Sequence, residues 1–351
     1  MQSRKLSSNA YGTNFYLLKH YYTSLLIATI ILGACTSDKK EASQETPAKT
    51  SVFVPPFNAD SAYQYIQTQV DFGPRVPNSE AHNRTGNYLV QQMTEFGWQV
   101  TEQNFEATSF DNQRLYLRNI IASYNPQVGK RILLAAHWDG RPFADKDNER
   151  QNEPIDAAND GASGVGVLLE IARTIAKNDS LENIGVDIIF FDGEDWGNDG
   201  KAHGHVPLRD GWESWWALGS QYWSKNLHKP RYSAFYGILL DMVGGKNAQF
   251  WIEGHSNRSA PSIVNKVWSQ AEDLGYGQYF KRKNGAEITD DHYFVNKNTG
   301  IPMIDIIPTD PIDGSFGSFH HTHDDNMSII SKETLKAVGE TVLHVVYHEQ
   351  Q

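Results

Sequence analysis

The chain has 351 residues, 39% hydrophobic and 21% charged, so its length and composition allow one large core or two modest ones and exclude wholesale disorder. The formal net charge of -11 disfavours a surface for nucleic acids or anionic membranes, because such surfaces need clustered Lys and Arg. The only cysteine is Cys35, which excludes a disulfide within the chain.

The N-terminal segment carries a pattern typical of protein export. An apolar run at residues 25–32 leads into Leu32-Gly33-Ala34-Cys35, and Lys5 and Lys19 lie upstream. This pattern resembles a bacterial lipoprotein signal peptide with its lipobox, which would make Cys35 the lipidated first residue of the mature protein. The alternative is a core strand that ends in a buried thiol, but the polar residues 36–50 that follow are typical of a flexible segment.

This resemblance implies three regions and a location. Residues 1–35 would be the signal peptide, residues 36–52 a flexible tether, and residues 53–351 a single catalytic domain. Acyl chains on Cys35 would hold the protein at the bacterial cell envelope, on the periplasmic or outer-membrane side. Contact with a membrane is expected through this anchor only.

After Pro55-Pro56, helical and extended patterns alternate along the chain. Asn58 and Ser79 each precede an amphipathic stretch, at the position where a side chain caps a helix. The expected strands cover residues 98–107, 115–124, 131–136, 188–191, 235–240, 250–253 and 301–307, and further helices cover residues 159–175, 217–227, 260–274 and 332–347. This order favours an α/β fold with a mainly parallel, mixed central sheet and helices on both faces.

Four of the expected strands lead to residues that bind metals or transfer protons. These residues are His137 and Asp139, Glu194 and Asp195, Asp241, and His321 in the loop after the last strand. Asp160 starts a helix behind a long polar loop at residues 141–158. Each residue alone has an ordinary explanation as a turn, a helix cap or a core histidine. Because ligands bind beyond the carboxyl ends of parallel strands, we expect the whole set to meet at one edge of the sheet.

Imidazole and carboxylate groups without thiolates are typical of a catalytic zinc site, which keeps one position open for water or substrate. Glu194 and Asp195 are adjacent, so their side chains diverge on extended backbone, and one can bind a cation while the other transfers protons. The alternative for this pair is a solvated acidic turn. His203 and His205 lie in a Gly-rich loop and are expected to be exposed.

Four motifs point to one family: Phe190-Phe191-Asp192-Gly193-Glu194, Leu239-Leu240-Asp241, Ile288-Thr289-Asp290-Asp291-His292 and His321-Thr322-His323-Asp324-Asp325-Asn326. They resemble motifs of the zinc-dependent glutaminyl cyclases of animal type, which share the fold of the M28 zinc aminopeptidases. The resemblance begins at about Phe72 and continues to the C-terminus. It implies an acyltransferase that converts the N-terminal glutamine of peptides or proteins to pyroglutamate and releases ammonia, with a single zinc ion in each chain.

The resemblance also assigns a role to each site residue. The zinc ligands would be Asp160, Asp195 and His321. Glu194 would transfer the proton, with Asp241 and Asp290 as its carboxylate partners, and the walls of the substrate pocket would include Ile288, Phe316 and His320. Two of them depart from the animal pattern, since Asp195 replaces a Glu and His320 replaces a Trp. Which of Trp212, Trp215 and Trp216 faces the substrate stays open.

Two other functions stay open. An M28-like aminopeptidase would bind two zinc ions and use Glu194 to activate a bridging water. Its ligands would be His137, Asp160, Asp195, Asp241 and His321, all of which are present. A lipoprotein that only binds peptides would lack a metal-binding or proton-transfer residue, and none is missing.

Cyclisation uses the substrate's own α-amine, so we expect one zinc, with His137 and Asp241 engaged by polar neighbours.

Overall fold

A six-stranded mixed sheet is the centre of the fold in the computed structural model, which describes residues 52–198 and 204–350. The described strands are β1 (Gln99–Thr108), β2 (Arg114–Tyr124), β3 (Arg131–His137), β4 (Gly185–Phe191), β5 (Tyr236–Leu240), β6 (Phe250–Ile252), β7 (Phe280–Asn284) and β8 (Met303–Ile306). The sheet has the order β1-β2-β4-β3-β5-β8. The β1-β2 and β2-β4 pairs are antiparallel and the other three are parallel, which confirms the predicted mixed α/β sheet.

Helices connect the strands and cover the sheet. The described helices are α1 (Ala59–Asp71), α2 (Glu80–Glu95), α3 (Ala162–Asn178), α4 (Leu218–Lys225), α5 (Gly254–Ser259), α6 (Pro261–Asp273), α7 (Asp291–Thr299) and α8 (Lys332–His348). Both predicted caps are present, since the side chain of Asn58 accepts a hydrogen bond from the Ser61 amide, and that of Ser79 from the His82 amide. Among the described helices, none is long and apolar enough to cross a membrane.

Side chains of the central strands alternate between two hydrophobic clusters. Leu134 on β3 belongs to a cluster that contains residues of α3, α6 and α8. Its neighbour Leu133 points the other way and belongs to a cluster with Trp223 of α4 and Val295 of α7. Helices therefore cover both faces of the sheet, as the sequence predicts, and the loops at the strand ends are left to form a site.

The start of α3 lies against the end of β5 because Gly164 has no side chain. A Cβ atom at this position would lie 2.2 Å from the carbonyl oxygen of Leu240, which is too close for any other residue. A glycine at this position therefore lets the helix and the sheet approach closely. The contact brings Asp160, just before α3, next to Asp241, just after β5.

Some elements differ from the prediction. The expected strand at residues 250–253 is present as β6, but it pairs with β7 in a separate two-stranded sheet. Neither β7 nor α7 is predicted, because β7 is a polar, mostly exposed strand and α7 starts with the buried polar pair Asp291 and His292. The predicted signal peptide, Cys35 and His203 lie outside the described residues.

Candidate active site

A cavity of about 310 Å³ opens beyond the carboxyl ends of β4, β5 and β8. Its walls include every residue that the sequence resemblance assigns: Asp160, Asp195, His321, Glu194, Asp241, Asp290, Ile288, Phe316 and His320. The cavity thus brings together five of the residues that are expected at this edge of the sheet: Asp160, Glu194, Asp195, Asp241 and His321. Their individual roles stay predictions, which the geometry below makes specific.

Asp160, Asp195 and His321 converge in the deep part of the cavity. The Nε2 atom of His321 lies 3.3 Å from Oδ1 of Asp195 and 3.8 Å from Oδ2 of Asp160. All three side chains are buried. Oδ2 of Asp195 has no hydrogen-bond partner among the described residues, although it is inaccessible to solvent. A buried carboxylate oxygen without a partner is costly unless a ligand binds it, so this cluster points to a cation.

Asp145 and Arg141 hold these side chains in place. Oδ1 of Asp145 lies 3.3 Å from Nδ1 of His321, and a proton on this nitrogen would leave Nε2 free for a metal. Arg141 donates hydrogen bonds to Oδ1 of Asp145 over 3.0 Å and to the carbonyl oxygen of Asp195 over 2.9 Å. Trp216 stacks on His321, with 5.8 Å between the ring centroids, which identifies the tryptophan that faces the cavity.

His320 forms part of the wall. Lys146 donates a hydrogen bond to Nδ1 of His320 over 2.5 Å, since an ammonium group can only donate. Burial lowers the pKa of His320 well below its ordinary value, and His321 lowers it further, so the ring is neutral. Its proton is therefore on Nε2, which faces Oδ2 of Asp160 at 3.7 Å. A protonated Nε2 cannot bind a metal, so His320 is a donor beside the cluster.

Carboxylates crowd the inner wall. Burial raises the pKa of Glu194 well above its ordinary value, and Asp290 and Asp195 raise it further, while His137 opposes them. Burial also raises the pKa of Asp241 to about 7 and that of Asp290 above its ordinary value. Carboxyl groups that interact in this way share protons near neutral pH.

His137 lies between Asp160, a predicted zinc ligand, and Asp241, a member of the carboxylate network. Its Nε2 atom lies 3.1 Å from Oδ1 of Asp160 and 3.2 Å from Oδ1 of Asp241. Burial lowers the pKa of His137, but hydrogen bonds with Asp139, Asp160 and Asp241 outweigh it and raise the pKa well above its ordinary value. His137 is thus engaged by carboxylates, as expected. Ligand-type atoms of His137, Asp160 and Asp241 nevertheless lie within 4.8 Å of one another, the arrangement that a second metal ion would need.

Asp160 is held by two buried residues that the sequence analysis missed. The carboxylate of Asp325 accepts hydrogen bonds from the backbone amides of Asn159 and Asp160, over 2.7 and 3.0 Å. The guanidinium group of Arg75 donates to the carbonyl oxygens of Trp138 and Ala157 on either side of the same loop. Asp325 is in a quoted motif, whereas Arg75 gives no signal in the sequence because its partners are carbonyl groups.

A further buried group extends the carboxylate network. Nδ1 of His292 lies 3.6 Å from Asp305, and its Nε2 lies 2.9 Å from Glu253. Both carboxylate oxygens of Asp305 lack a hydrogen-bond partner in the described part of the chain. The sequence analysis missed Asp305 and Glu253, since Asp305 stands inside an otherwise apolar strand and Glu253 at the end of a short one.

The donor set around His321 fits zinc. It combines one imidazole with two carboxylates and no thiolate, as in catalytic zinc sites. Asp160, His320 and His321 also have ligand-type atoms within 4.8 Å of one another. The hydrogen bond from Lys146 excludes His320, however, and the unpartnered oxygen of Asp195 favours Asp195 as the third ligand. Asp160, Asp195 and His321 therefore remain the predicted ligands.

Comparisons with known proteins show what this chain is similar to. Residues 119–346 match the sequence profile of peptidase family M28. The chain is 51% identical to a solved glutaminyl cyclase from Bacteroides thetaiotaomicron, with a TM-score of 0.79 over 84% of this chain and 99% of that one. It is also 51% identical to a Zn-dependent exopeptidase from Parabacteroides distasonis, with a TM-score of 0.77 over 84% of this chain and 99% of that one. A glutaminyl-peptide cyclotransferase from Drosophila melanogaster is 24% identical over 286 residues, which are 74% of this chain and 73% of the fly protein.

Proposed function

Since the chain belongs to peptidase family M28, we propose that it is a zinc-dependent glutaminyl-peptide cyclotransferase, which converts N-terminal glutamine to pyroglutamate and releases ammonia. One observation carries the proposal: the cluster of Asp160, Asp195 and His321 and the carboxylate of Glu194 line the same cavity. The 51% identity with a glutaminyl cyclase over nearly its whole length supports the same activity.

The cavity suits the two ends of a glutamine residue. The carboxylates of Glu194, Asp241 and Asp290 attract the positively charged α-amine to the inner wall. Ile288 and Phe316 provide apolar surface against which the methylene groups of the glutamine side chain can pack. The γ-carboxamide would then face Asp160, Asp195 and His321, which would hold a zinc ion, and the zinc would supply a Lewis acid that polarises the carbonyl group.

The chain's own residues handle the proton. The α-amine and the carbonyl carbon of the γ-carboxamide belong to the same residue, so the substrate itself supplies the proximity of nucleophile and electrophile. The α-amine attacks in its neutral form, after its ammonium proton has passed to solvent. As the new C–N bond forms, Glu194 takes one further proton from the attacking nitrogen. It then donates this proton to the amide nitrogen, the old C–N bond breaks, and ammonia leaves. Burial, together with the charges of Asp290 and Asp195, keeps the pKa of Glu194 high enough for this group to donate the proton as well as accept it.

A two-zinc aminopeptidase is the second candidate. It is favoured by one observation, the close approach of His137, Asp160 and Asp241, and a related structure is a Zn-dependent exopeptidase. The two functions differ in the bond that breaks, because a peptidase cleaves the main chain and a cyclase releases only ammonia.

The deciding experiment offers the purified protein two tripeptides that differ only in the first residue, glutamine or leucine. We expect ammonia and an otherwise intact pyroglutamyl peptide from the first, and no reaction with the second, measured by mass spectrometry. Free leucine from the second peptide, without cyclisation of the first, would establish the aminopeptidase instead.

We also propose that residues 1–35 are a lipoprotein signal peptide, residues 36–52 a tether, and residues 53–351 the catalytic domain. The sequence Leu32-Gly33-Ala34-Cys35 supports an acyl anchor at the bacterial cell envelope, on the periplasmic or outer-membrane side. With a Cys35→Ala variant in a bacterial host, we expect the protein to leave the membrane fraction and to incorporate no labelled palmitate. Equal membrane association of both proteins would contradict the anchor.

A further inference from the structure

A second cleft lies beside the catalytic cavity and shares part of its wall. Both are lined by Trp216 and Thr289, and the second has a volume of about 460 Å³. We refer to it as the side cleft. A peptide that leaves the catalytic cavity over Trp216 and Thr289 therefore enters the side cleft directly.

The shared wall adjoins the groups that would hold the glutamine. Thr289 precedes Asp290, one of the carboxylates that attract the α-amine, and Trp216 stacks on His321, where the γ-carboxamide would lie. In a peptide, the carbonyl carbon that leads to the second residue is bonded to the same Cα as the α-amine. The second residue of a bound substrate thus begins close to Thr289, at the entrance of the side cleft.

The interior of the side cleft is aromatic. Tyr293 and the buried Phe294 on α7 line it, together with His255, whose ring centroid lies 4.8 Å from that of Tyr293. The ammonium group of Lys297 lies 5.6 Å from the centre of the Tyr293 ring. Aromatic faces of this kind favour flat apolar side chains, which they contact edge-on or in parallel.

The charged groups of the side cleft are already paired. Glu213 accepts from the ammonium groups of both Lys297 and Lys225. These contacts lower the pKa of Glu213 to about 2, with the Lys225 hydrogen bond the largest contribution. Of the lining residues, Glu213 and Lys297 thus neutralise each other, whereas the aromatic interior remains available for contact.

We propose that the side cleft binds the residue after the glutamine and favours an aromatic side chain there. This inference rests on the proposed cyclase activity and specifies its substrate class. It concerns residues outside the metal and proton-transfer groups, so it can fail while the cyclase activity stands.

The test compares cyclisation of Gln-Phe-Ala and Gln-Gly-Ala by the wild-type protein and by Tyr293→Ala, Tyr293→Phe and Tyr116→Ala variants. We expect kcat/KM of the wild type to be about tenfold higher for the phenylalanine peptide, mainly through a lower KM. Tyr293→Ala should remove this preference, and Tyr293→Phe should keep it. Tyr116 is exposed on β2, and its variant is the matched control, with wild-type behaviour expected.

Equal kcat/KM for the two peptides with the wild type would overturn the inference. The inference would also fail if Tyr293→Ala lowered kcat/KM for both peptides by the same factor, since that outcome indicates a structural role for the ring. If the wild-type protein cyclised neither peptide, this result would contradict the proposed function itself, and the inference would fall with it.

Discussion

The two ends of β3 and β4 each hold buried charges, but they treat them differently. At the amino ends, Arg131 binds both carboxylate oxygens of Asp187, over 2.6 and 2.7 Å, and the hydroxyl groups of Ser123 and Tyr232 donate to the same carboxylate. Burial alone would raise the pKa of Asp187, but these donors lower it. At the carboxyl ends, burial and mutual repulsion raise the pKa of Glu194 instead.

This difference between the two strand ends indicates where in the sheet the functional site lies. A buried ion pair with all its hydrogen bonds made is a structural device, and it needs no ligand. A buried group of carboxylates with unpartnered oxygens is unfavourable by itself, and it persists where a cation and a mobile proton complete it. The predictions below test this contrast by changing one end of the strands at a time.

The largest effect is expected for Glu194→Gln at the carboxyl end. The amide is nearly isosteric but cannot take up and return a proton, so kcat should fall by about 10³-fold. Zinc content should stay at the wild-type level, because Glu194 is outside the predicted ligand set. Elemental analysis and a cyclisation assay measure the two quantities, with the exposed Glu106→Gln as control. Loss of zinc with the activity would make Glu194 a ligand.

At the amino end, Arg131→Met should lower the free energy of unfolding by roughly 3–5 kcal/mol, because it leaves Asp187 buried without its cation. The activity of the folded fraction should not change. Denaturant unfolding measures the first quantity and active-site-normalised turnover the second. The double variant Arg131→Met/Asp187→Asn should recover part of the loss. A loss of less than about 1 kcal/mol would show that the pair is not the structural device described above.

At the carboxyl end, we expect Asp305→Asn to raise the free energy of unfolding, whereas Arg131→Met lowers it. Burial raises the pKa of Asp305 well above its ordinary value, and Asp290 and Asp241 raise it further. The folded state then binds a proton that the unfolded state has lost, so the free energy of unfolding falls as the pH rises from the ordinary to the raised pKa. The variant removes this dependence and should be more stable by about 1 kcal/mol at neutral pH. A less stable variant would mean that Asp305 carries a stabilising bond.

The smallest effect at neutral pH is expected for His228→Gln, again at the amino end. Burial lowers the pKa of His228 from 6.5 to about 4. Between these values the unfolded state binds a proton that the folded state does not, so stability falls as the pH drops through this window. The variant should lose less stability on acidification from pH 6.5 to 4 and should match the wild type above it. Parallel curves for both proteins in thermal unfolding would contradict the shift.

The sequence predicts the central sheet and the edge at which the site lies, because apolar runs such as Ile188-Ile189-Phe190-Phe191 stop abruptly at polar residues. It does not predict α7 or β7, whose local patterns carry no clear apolar period. Within the site, Glu194 and Asp195 stand out as adjacent carboxylates after a buried strand. The side chains that hold His321 and the loop before Asp160 do not, since Asp145 and Arg75 act on partners that only the fold brings near.

The same limit applies to the choice among similar side chains. The sequence leaves Trp212, Trp215 and Trp216 equivalent, and only the stacking on His321 selects Trp216. Likewise, nothing local in the sequence indicates that Lys146 reaches His320, 174 residues away, and fixes its proton. Long-range contacts of this kind depend on loop packing, which local propensity and spacing do not encode.

The most direct test of the account is the amount of zinc that full activity requires. Metal-free protein is titrated with zinc while cyclisation of a glutamine-headed peptide is followed, and bound zinc is measured at each point. If His137 and Asp241 stay engaged with carboxylate partners and protons, turnover should reach its maximum at one zinc per chain. Turnover that rises until two zinc ions are bound, with release of free leucine from a leucine-headed peptide, would contradict the account and assign the aminopeptidase function.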